Sequence, residues 1–198
     1  MSKIVAFESL SIDGVMQAPG RPDEDRRGGF EHGGWAAPYA AMGQGGDSMA
    51  QSGALLLGRR TYEDFFSVWP QRKDSPFSAI LDNMQKYVAS RTLTEPLPWM
   101  NSTLLAGDAA ESVARLRREP GKDLVILGSG ELVRSLMRRN LIDEYILLIH
   151  PLVLGSGSRL FPDGGPFLPL RLVNTRATAE GVVIATYQPA EPAAEKAI

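Results

Sequence analysis

One stretch decides how the chain is read, namely Ala54-Leu55-Leu56-Leu57-Gly58-Arg59-Arg60-Thr61-Tyr62-Glu63-Asp64-Phe65-Phe66. It opens with a continuous apolar run, which is typical of strands that are buried on both faces of a parallel sheet. Gly58 then permits a sharp turn into a helical pattern that begins with two arginines. The stretch therefore predicts a strand, a tight turn and a helix.

The start of that helix predicts an anion site. The first amide groups of a helix have no intrahelical partner, and the helix dipole adds roughly half a positive charge at this end. Cationic side chains are unfavourable there unless something compensates them, so Arg59 and Arg60 favour a phosphate held by backbone and side chains together. From this stretch alone, an ordinary strand–helix turn with two solvated arginines is the open alternative.

The same layout recurs later in the chain. The apolar run Leu124–Leu127 ends in Gly128-Ser129-Gly130, and a helical pattern follows as far as Asn140. Ligands of open α/β sheets bind outside the carboxyl ends of the strands, where two such turns would lie side by side. We therefore expect the two turns to share a ligand, although the second could serve only to start its helix.

Composition limits what the ligand can be. The chain has 198 residues, is 43% apolar and 22% charged, and carries a net charge of −2, as soluble globular proteins do. That charge argues against a general nucleic-acid binder, so any bound anion should be small. The absence of cysteine excludes disulfides, zinc–thiolate sites and a cysteine nucleophile, and two histidines leave little for a metal centre. We expect no metal.

The ends of the chain give a further expectation. Residues 1–7 pass directly into a strand-like pattern without a signal-peptide core, and nowhere do about 18 apolar residues follow one another. We expect a cytoplasmic protein that does not enter a membrane. One domain over residues 1–189 is the simplest division, with a flexible tail at residues 190–198 that is rich in Ala, Pro and Glu.

A long loop is predicted between Met16 and Gly34, where Gly, Pro, Asp and Arg dominate. Loops of this length inside one domain are uncommon and are often lids over a binding site. The alternative is a disordered surface excursion. A weak helical pattern, interrupted by glycines, then leads toward Ser52.

The last third of the chain is predicted to form three strands, namely Asp143–Leu154, Leu170–Arg176 and Gly181–Gln188. No helical periodicity separates them, so we expect them to pair antiparallel at one edge of the sheet. The expected fold is α/β, with a mostly parallel central sheet, antiparallel C-terminal edge strands and helices on both faces. A long apolar edge is seldom left exposed, which favours a homodimer.

Five motifs, in order along most of the chain, resemble those of the dihydrofolate reductase-like superfamily. Within it, the chain is most similar to the branch related to the reductase domain of bacterial riboflavin biosynthesis. The resemblance implies this same fold, a homodimer and binding of NADPH. The motifs are Ser9–Val15, Leu57–Glu63, Ser90–Thr92, Val125–Leu132, and Asp143-Glu144 through Gly155-Ser156-Gly157.

The resemblance also implies which residues hold the cofactor. Arg59 would bind the 2′-phosphate of the adenosine, while Arg60 and Thr61 would bind the pyrophosphate through their amides and the threonine hydroxyl. Ser90 and Arg91 would close over the adenine ribose and its phosphate. The full set of implied contacts is Ser11, Gly58, Arg59, Arg60, Thr61, Ser90, Arg91, Gly128, Ser129, Gly130, Glu131 and Leu132.

In one respect the chain departs from this pattern. True dihydrofolate reductases carry a buried carboxylate on the first helix, which binds the pterin, but residues 35–42 hold no acid here. Candidate proton donors are Asp13, Glu31, His32 and Tyr39, although Asp13-Gly14 is also an ordinary turn pair and His32 also suits an ordinary loop. Candidate substrate-binding residues are Asp13, Trp35 and Tyr39, since the aromatic rings could stack on a flat heterocycle or belong to the core.

Two functions follow. The first is an NADPH-dependent reductase that transfers hydride to a small pyrimidine- or pterin-type heterocycle. Its reaction would resemble that of 5-amino-6-(5-phosphoribosylamino)uracil reductase or of dihydrofolate reductase. The alternative is a non-catalytic nucleotide-binding or regulatory module that retains the NADPH site, which the missing carboxylate favours.

Overall fold

The computed structural model describes residues 2–39, 53–121 and 123–190. One sheet of eight strands forms its centre. The strands are β1 (Ile4–Ser11), β2 (Ala54–Gly58), β3 (Gln85–Ser90), β4 (Ser102–Ala106), β5 (Leu124–Leu127), β6 (Glu144–His150), β7 (Leu170–Ala177) and β8 (Val183–Pro189). The α-helices are α1 (Arg59–Val68), α2 (Pro76–Asn83), α3 (Ala109–Leu116) and α4 (Gly130–Met137).

The strands lie in the order β4-β3-β2-β5-β1-β6-β8-β7. All neighbours from β4 to β6 pair in parallel, whereas β8 pairs antiparallel with both β6 and β7. Parallel neighbours place their carboxyl ends at one edge of the sheet, which is where the two glycine turns emerge. The predicted α/β class, with antiparallel pairing at the C-terminal edge, is confirmed.

The strand β6 corrects one part of that prediction. We expected Asp143–Leu154 to be one long strand in an antiparallel C-terminal edge; β6 does pair antiparallel with β8, but it ends at His150 and pairs in parallel with β1 from Val5↔Glu144 to Ser11↔His150. The reason is topological: α4 separates β5 from β6 and returns the chain to the amino end of the sheet. Pro151 then ends the strand, because proline has no amide hydrogen to donate to a ladder.

The sheet is covered on both faces. Along β1, Ile4 and Ala6 point to a core shared with α3 and α4, while Val5 and Phe7 point to a core shared with α1 and α2. This alternation is the two-residue period of a strand whose two faces are both buried. It fixes which side chains of β1 face which helix layer.

The 16–34 loop is ordered around a small apolar cluster of its own. Val15, Ala18, Phe30, Trp35 and Ala36 are buried together, and the loop contains a short 3-10 turn at Arg27–Gly29. A second 3-10 turn, Ala37–Tyr39, follows it. The helical pattern predicted toward Ser52 lies beyond this point, at residues 40–52, outside the described residues. The tail predicted for residues 190–198 also lies outside them, except for Ala190.

Candidate functional site

The carboxyl ends of β1, β2, β3 and β5 open into one cleft of about 1550 Å³. The starts of α1 and α4, the N-terminal half of the 16–34 loop and the segment after β3 complete its walls. Its position is that of ligand sites in open α/β sheets. The cleft-lining residues among those predicted from sequence are Gly58, Arg59, Arg60, Thr61, Ser90, Arg91, Gly128, Ser129, Gly130, Glu131 and Leu132.

The two glycine turns lie side by side, as predicted. The amide of Gly58 donates to Oγ of Ser129 at 2.8 Å, which joins the turn after β2 to the turn after β5. Gly128 and Ser129 both have left-handed backbone, with φ of 62° and 63°. Serine rarely adopts this conformation, so the bond to Gly58 helps to hold it.

Both helices that start at these turns lack a capping side chain. The residues that precede α1 and α4 are Gly58 and Ser129. Gly58 has no side chain, and the hydroxyl of Ser129 does not bond to the first amides of α4. At the same place Arg60 contacts Glu131 at 3.3 Å, and Arg59 contacts Glu63 at 3.8 Å, all four being substantially exposed. Free amides and exposed arginines together suit an anion.

The start of α3, which also borders the cleft, is different. The side chain of Asp108 accepts a hydrogen bond from the amide of Glu111 at 3.0 Å and so caps α3. The hydrogen bond from the amide of Glu111 is the largest cause that lowers the pKa of Asp108. The chain therefore supplies its own anion at this start.

The segment after β3 forms a compact turn at the other end of the cleft. Ser90 Oγ accepts hydrogen bonds from the amides of Thr92 and Leu93, at 3.1 and 3.0 Å. Arg91, which lies between Ser90 and Thr92 in the chain, is exposed and lines the cleft. The serine hydroxyl therefore shapes the turn that presents the arginine.

The residues present fit a dinucleotide phosphate. One cleft of sufficient volume contains the uncapped starts of α1 and α4, the two joined glycine turns, and the side chains of Arg59, Arg60 and Arg91. Gly130 allows close packing, because a Cβ at this position would lie 2.5 Å from Sδ of Met16. Within the described ranges, no group of three or more His, Cys, Asp or Glu side chains could hold a metal ion.

Asp13 and Ser11 lie apart from the cleft lining. Ser11 Oγ donates to Asp13 Oδ1 at 2.6 Å, and the Asp13 carboxylate accepts the amides of Leu154 at 3.1 Å and Gly155 at 2.9 Å. The hydrogen bond from Ser11 is the main cause that lowers the pKa of Asp13 to about 2. Asp13 is thus ionised and occupied in holding the loop after β6, so this geometry does not favour a substrate contact or proton donation.

Trp35 and Tyr39 are packed against a buried histidine. Both rings meet His150 edge to face, at 5.2 and 5.4 Å between centroids. Trp35 is buried and donates its indole N–H to the carbonyl of Gln17 at 2.7 Å. Burial lowers the pKa of His150. The rings serve packing here, and neither lines the cleft; Glu31 and His32 are exposed in the 16–34 loop.

The structure reveals a cleft residue that the sequence analysis missed. Glu8 on β1 is only 2% exposed, lines the cleft, and its Oε1 has no hydrogen-bond partner among the described residues. Burial raises the pKa of this carboxyl well above its ordinary value. The available signal was a single acid inside an otherwise apolar strand, Ile4-Val5-Ala6-Phe7-Glu8.

An ion pair joins the 16–34 loop to α1. The guanidinium of Arg21 donates to both carboxylate oxygens of Asp64, at 3.2 and 2.5 Å. Bidentate pairs of this kind are geometrically specific. Nearby, Glu24 accepts the amides of Gly20 and Arg21 and so shapes the loop that borders the cleft.

Comparisons with known proteins agree with this architecture. The family model of the RibD C-terminal domain matches residues 2–184. The uncharacterized protein YyaP of Bacillus subtilis is 32% identical over 148 residues, which are 71% of this chain and 76% of that protein.

Two solved structures have the same fold. One, a putative riboflavin biosynthesis protein from Shewanella sp. PV-4, has a TM-score of 0.69 at 19% identity and covers 96% of this chain and 99% of its own. The other, a dihydrofolate reductase from Enterococcus faecalis complexed with NADP(H), has a TM-score of 0.60 at 16% identity, covering 96% and 97%. The suggested superfamily is thereby confirmed, and the chain belongs to the RibD C-terminal domain family.

Proposed function

We propose that this protein is an NADPH-dependent reductase that transfers hydride to a small heterocycle of the pyrimidine or pterin type. The observation that carries the proposal is the pair of uncapped helix starts, joined from Gly58 to Ser129, with Arg59, Arg60 and Arg91 in the same cleft. Family membership supports a reductase-type enzyme. The assignment of individual residues to the cofactor is part of the proposal.

The proposed function assigns roles to the main cofactor-binding residues. The free amides of Arg60, Thr61, Gly130 and Glu131 and the Thr61 hydroxyl bind the pyrophosphate, while Arg59 and Arg91 bind the 2′-phosphate. When bound, a reduced nicotinamide supplies the hydride, and the protein supplies position and electrostatics. Ser11, with its hydroxyl bonded to Asp13, keeps the end of β1 in place next to the cleft.

The proposal is tested in two steps. Fluorescence titration should show binding of NADPH, and absorbance should then show its oxidation with at least one member of a panel of pterins, aminouracils, imines and dicarbonyls. Binding without oxidation across the panel would favour the alternative of a non-catalytic nucleotide module. No binding of NADPH would overturn both.

The 16–34 loop is proposed to be a lid over the reacting end of the cleft. It borders the cleft with residues 16–21 and 24–28 and is fastened to α1 by Arg21 and Asp64. A lid excludes water and commits the substrate. Deleting residues 20–28 should therefore lower turnover and leave NADPH binding largely intact, since the phosphates are held elsewhere. Arg21→Ala, which removes the ion pair with Asp64 without shortening the loop, should lower turnover less. Unchanged turnover in the deletion variant would contradict the lid.

A homodimer is also proposed. Residues 171–177 of the edge strand β7 are exposed, including Leu172 and Val173, and Phe167 before it is 90% exposed. Unpaired apolar edges of this kind are usually covered by another chain. Light scattering at micromolar concentration should give twice the chain mass, and a monomer mass would contradict the proposal.

A cytoplasmic location remains a prediction. Among the described residues, none of the helices is long and apolar enough to cross a membrane.

A further inference from the structure

The side chain of Glu8 has a defined place beside the cleft. The alternation along β1 puts it on the sheet face of Ala6 and Leu10, which α3 and α4 cover. The last β1–β5 pair is Phe7↔Leu127, so Glu8 lies one residue further on, level with the turn at Gly128. Its register partner on β6 is Leu147, which is buried and apolar.

Within the part of the chain that the structure describes, one oxygen of this carboxyl group is left without a hydrogen bond. Oε1 of Glu8 is buried and has no hydrogen-bond partner among the described residues. The charge that acts on it is the guanidinium of Arg134 on α4, whose Nη1 donates to the carbonyl of Arg159 at 2.8 Å. From β6, the titratable group on this face is the phenol of Tyr145, which is buried and whose pKa is raised. On the same face β5 contributes the apolar Ile126, and the turn at Gly128 and the side chain of Met16 bring no charge.

These surroundings decide the protonation state. A buried carboxylate without a strong partner is disfavoured relative to the neutral acid, and the attraction of Arg134 does not outweigh the burial, so the pKa of Glu8 is raised. A neutral carboxylic acid differs from a carboxylate in offering one O–H donor together with a carbonyl acceptor. That pair of groups complements an amide, in which an N–H adjoins a C=O.

We propose that Glu8 is a ligand-binding residue, which as a neutral acid pairs with an amide group of the molecule in the cleft. This rests on the proposed function, because both partners of that reaction carry the required group. One source is the carboxamide of the nicotinamide, and the other is a ring amide of a pyrimidine or pterin. The shared chemistry is the same, and binding experiments separate the two sources.

The protonation state is measured without any ligand. The infrared spectrum of the protein minus that of Glu8→Gln should contain the carbonyl stretch of a protonated carboxyl at neutral pH. The stretch should give way to carboxylate bands as the pH rises through the raised pKa. Glu180→Gln, at an exposed glutamate outside the cleft, is the matched control and should show only carboxylate bands at neutral pH. Carboxylate bands alone for Glu8 at neutral pH would overturn the proposal, whatever the protein binds.

Two variants then test the pairing. Gln keeps a donor and an acceptor at the same length, so Glu8→Gln should retain ligand affinity and make it independent of pH above neutrality. Met is of similar length but apolar, so Glu8→Met should lose affinity by about tenfold. Thermal unfolding of both variants checks the fold, and the apolar variant should be no less stable, because it removes an unsatisfied buried group.

The choice of probe identifies the source of the amide. If the nicotinamide provides it, Glu8→Met weakens NADPH and leaves 2′-phospho-ADP-ribose, which lacks the nicotinamide, unchanged. If the substrate provides it, NADPH affinity is unchanged and the loss appears in the KM for a pterin or an aminouracil. Losses in neither arm, or an equal loss in Glu8→Gln and Glu8→Met, would overturn the role of Glu8 while NADPH binding by the unchanged protein still supported the proposed function. Failure of the unchanged protein to bind NADPH would overturn the proposed function itself.

Discussion

Backbone amides collect in two kinds of place around the cleft. At the start of α3, and in the loop after β6, a carboxylate of the chain accepts them: Asp108 bonds to the amide of Glu111, and Asp13 bonds to those of Leu154 and Gly155. At the starts of α1 and α4 the capping positions are Gly58 and Ser129, and neither caps its helix. We call the first kind closed amide clusters and the second kind open ones.

In the proposed function, the closed clusters serve the fold and the open clusters serve a ligand. Orphan amides at a helix start need an acceptor, and an acidic side chain is the usual one. At the closed clusters the acceptor is part of the chain, so their role is structural. At the open clusters arginines gather instead, and the acceptor that suits them is a phosphate from outside. Substitutions at the two kinds should therefore separate binding from stability.

The largest effect is expected at an open cluster. Arg59→Ala should weaken NADPH by about ten- to a hundredfold and NADH far less, because only NADPH carries a phosphate for this guanidinium to bind. A charge-assisted pair of this kind contributes roughly 1.5–3 kcal/mol. Fluorescence titration of both cofactors measures it, with Arg118→Ala, at an exposed arginine that does not line the cleft, as the control. Equal losses for NADPH and NADH would remove the distinction between the clusters.

An intermediate effect is expected at the closed cluster of Asp13. The pKa of Asp13 is lowered to about 2, first by the hydrogen bond from Ser11, so its ionised form stabilises the fold. That stability is present above the unfolded pKa of about 3.9 and is lost as the pH falls toward 2. Asp13→Asn should lower the free energy of unfolding at neutral pH by about 1 kcal/mol, a figure reduced for partial solvent exposure.

Chemical denaturation across pH checks this change. The difference between Asp13→Asn and the unchanged protein should shrink as the pH falls below about 4. Asp163→Asn, at an exposed aspartate in the loop before β7, is the control and should show no such trend. A difference that stays constant down to pH 2 would show that the carboxylate charge is not what holds the cluster.

The smallest effect is expected at the start of α3. Asp108→Ala removes the cap and should lower the midpoint of thermal unfolding by about 1–2 °C, because the cap is exposed to solvent. NADPH affinity should not fall, although this start borders the same cleft as the open ones. A loss of NADPH binding as large as that of Arg59→Ala would mean that the closed cluster also holds the ligand.

Most of the fold could be predicted from local pattern. The apolar run of β2, the glycine turn and α1 lie where the sequence placed them, as does the repeat of that layout at β5 and α4. The antiparallel pairing of the C-terminal strands was predicted, but the parallel pairing of β6 with β1 was not, because it depends on which distant strands meet across the sheet rather than on the strand's own residues. Pairing between distant segments leaves little trace in a single sequence.

Side-chain roles were harder to predict than turns. Asp13 was a candidate for substrate binding, although an Asp-Gly pair is also common in turns. Its hydrogen bonds to the amides of Leu154 and Gly155, which hold the loop after β6, are visible only in the structure. Trp35 was a candidate for stacking, but its ring is buried between the 16–34 loop and His150. Glu8 was passed over because an acid in a strand is ordinary unless its surroundings are known.

The sequence by itself determined the strand–glycine–helix turns, the arginines that follow the first of them and the α/β class, because these depend on near neighbours in the chain: apolar periodicity, the backbone freedom of glycine and the unpaired amides of a helix start. Only the tertiary structure decided that the two turns touch through Gly58 and Ser129, that β6 pairs in parallel with β1, and that Oε1 of Glu8 is buried without a hydrogen-bond partner among the described residues. Those properties depend on which segments pack together, and burial and the resulting pKa shifts arise only after packing has removed the water.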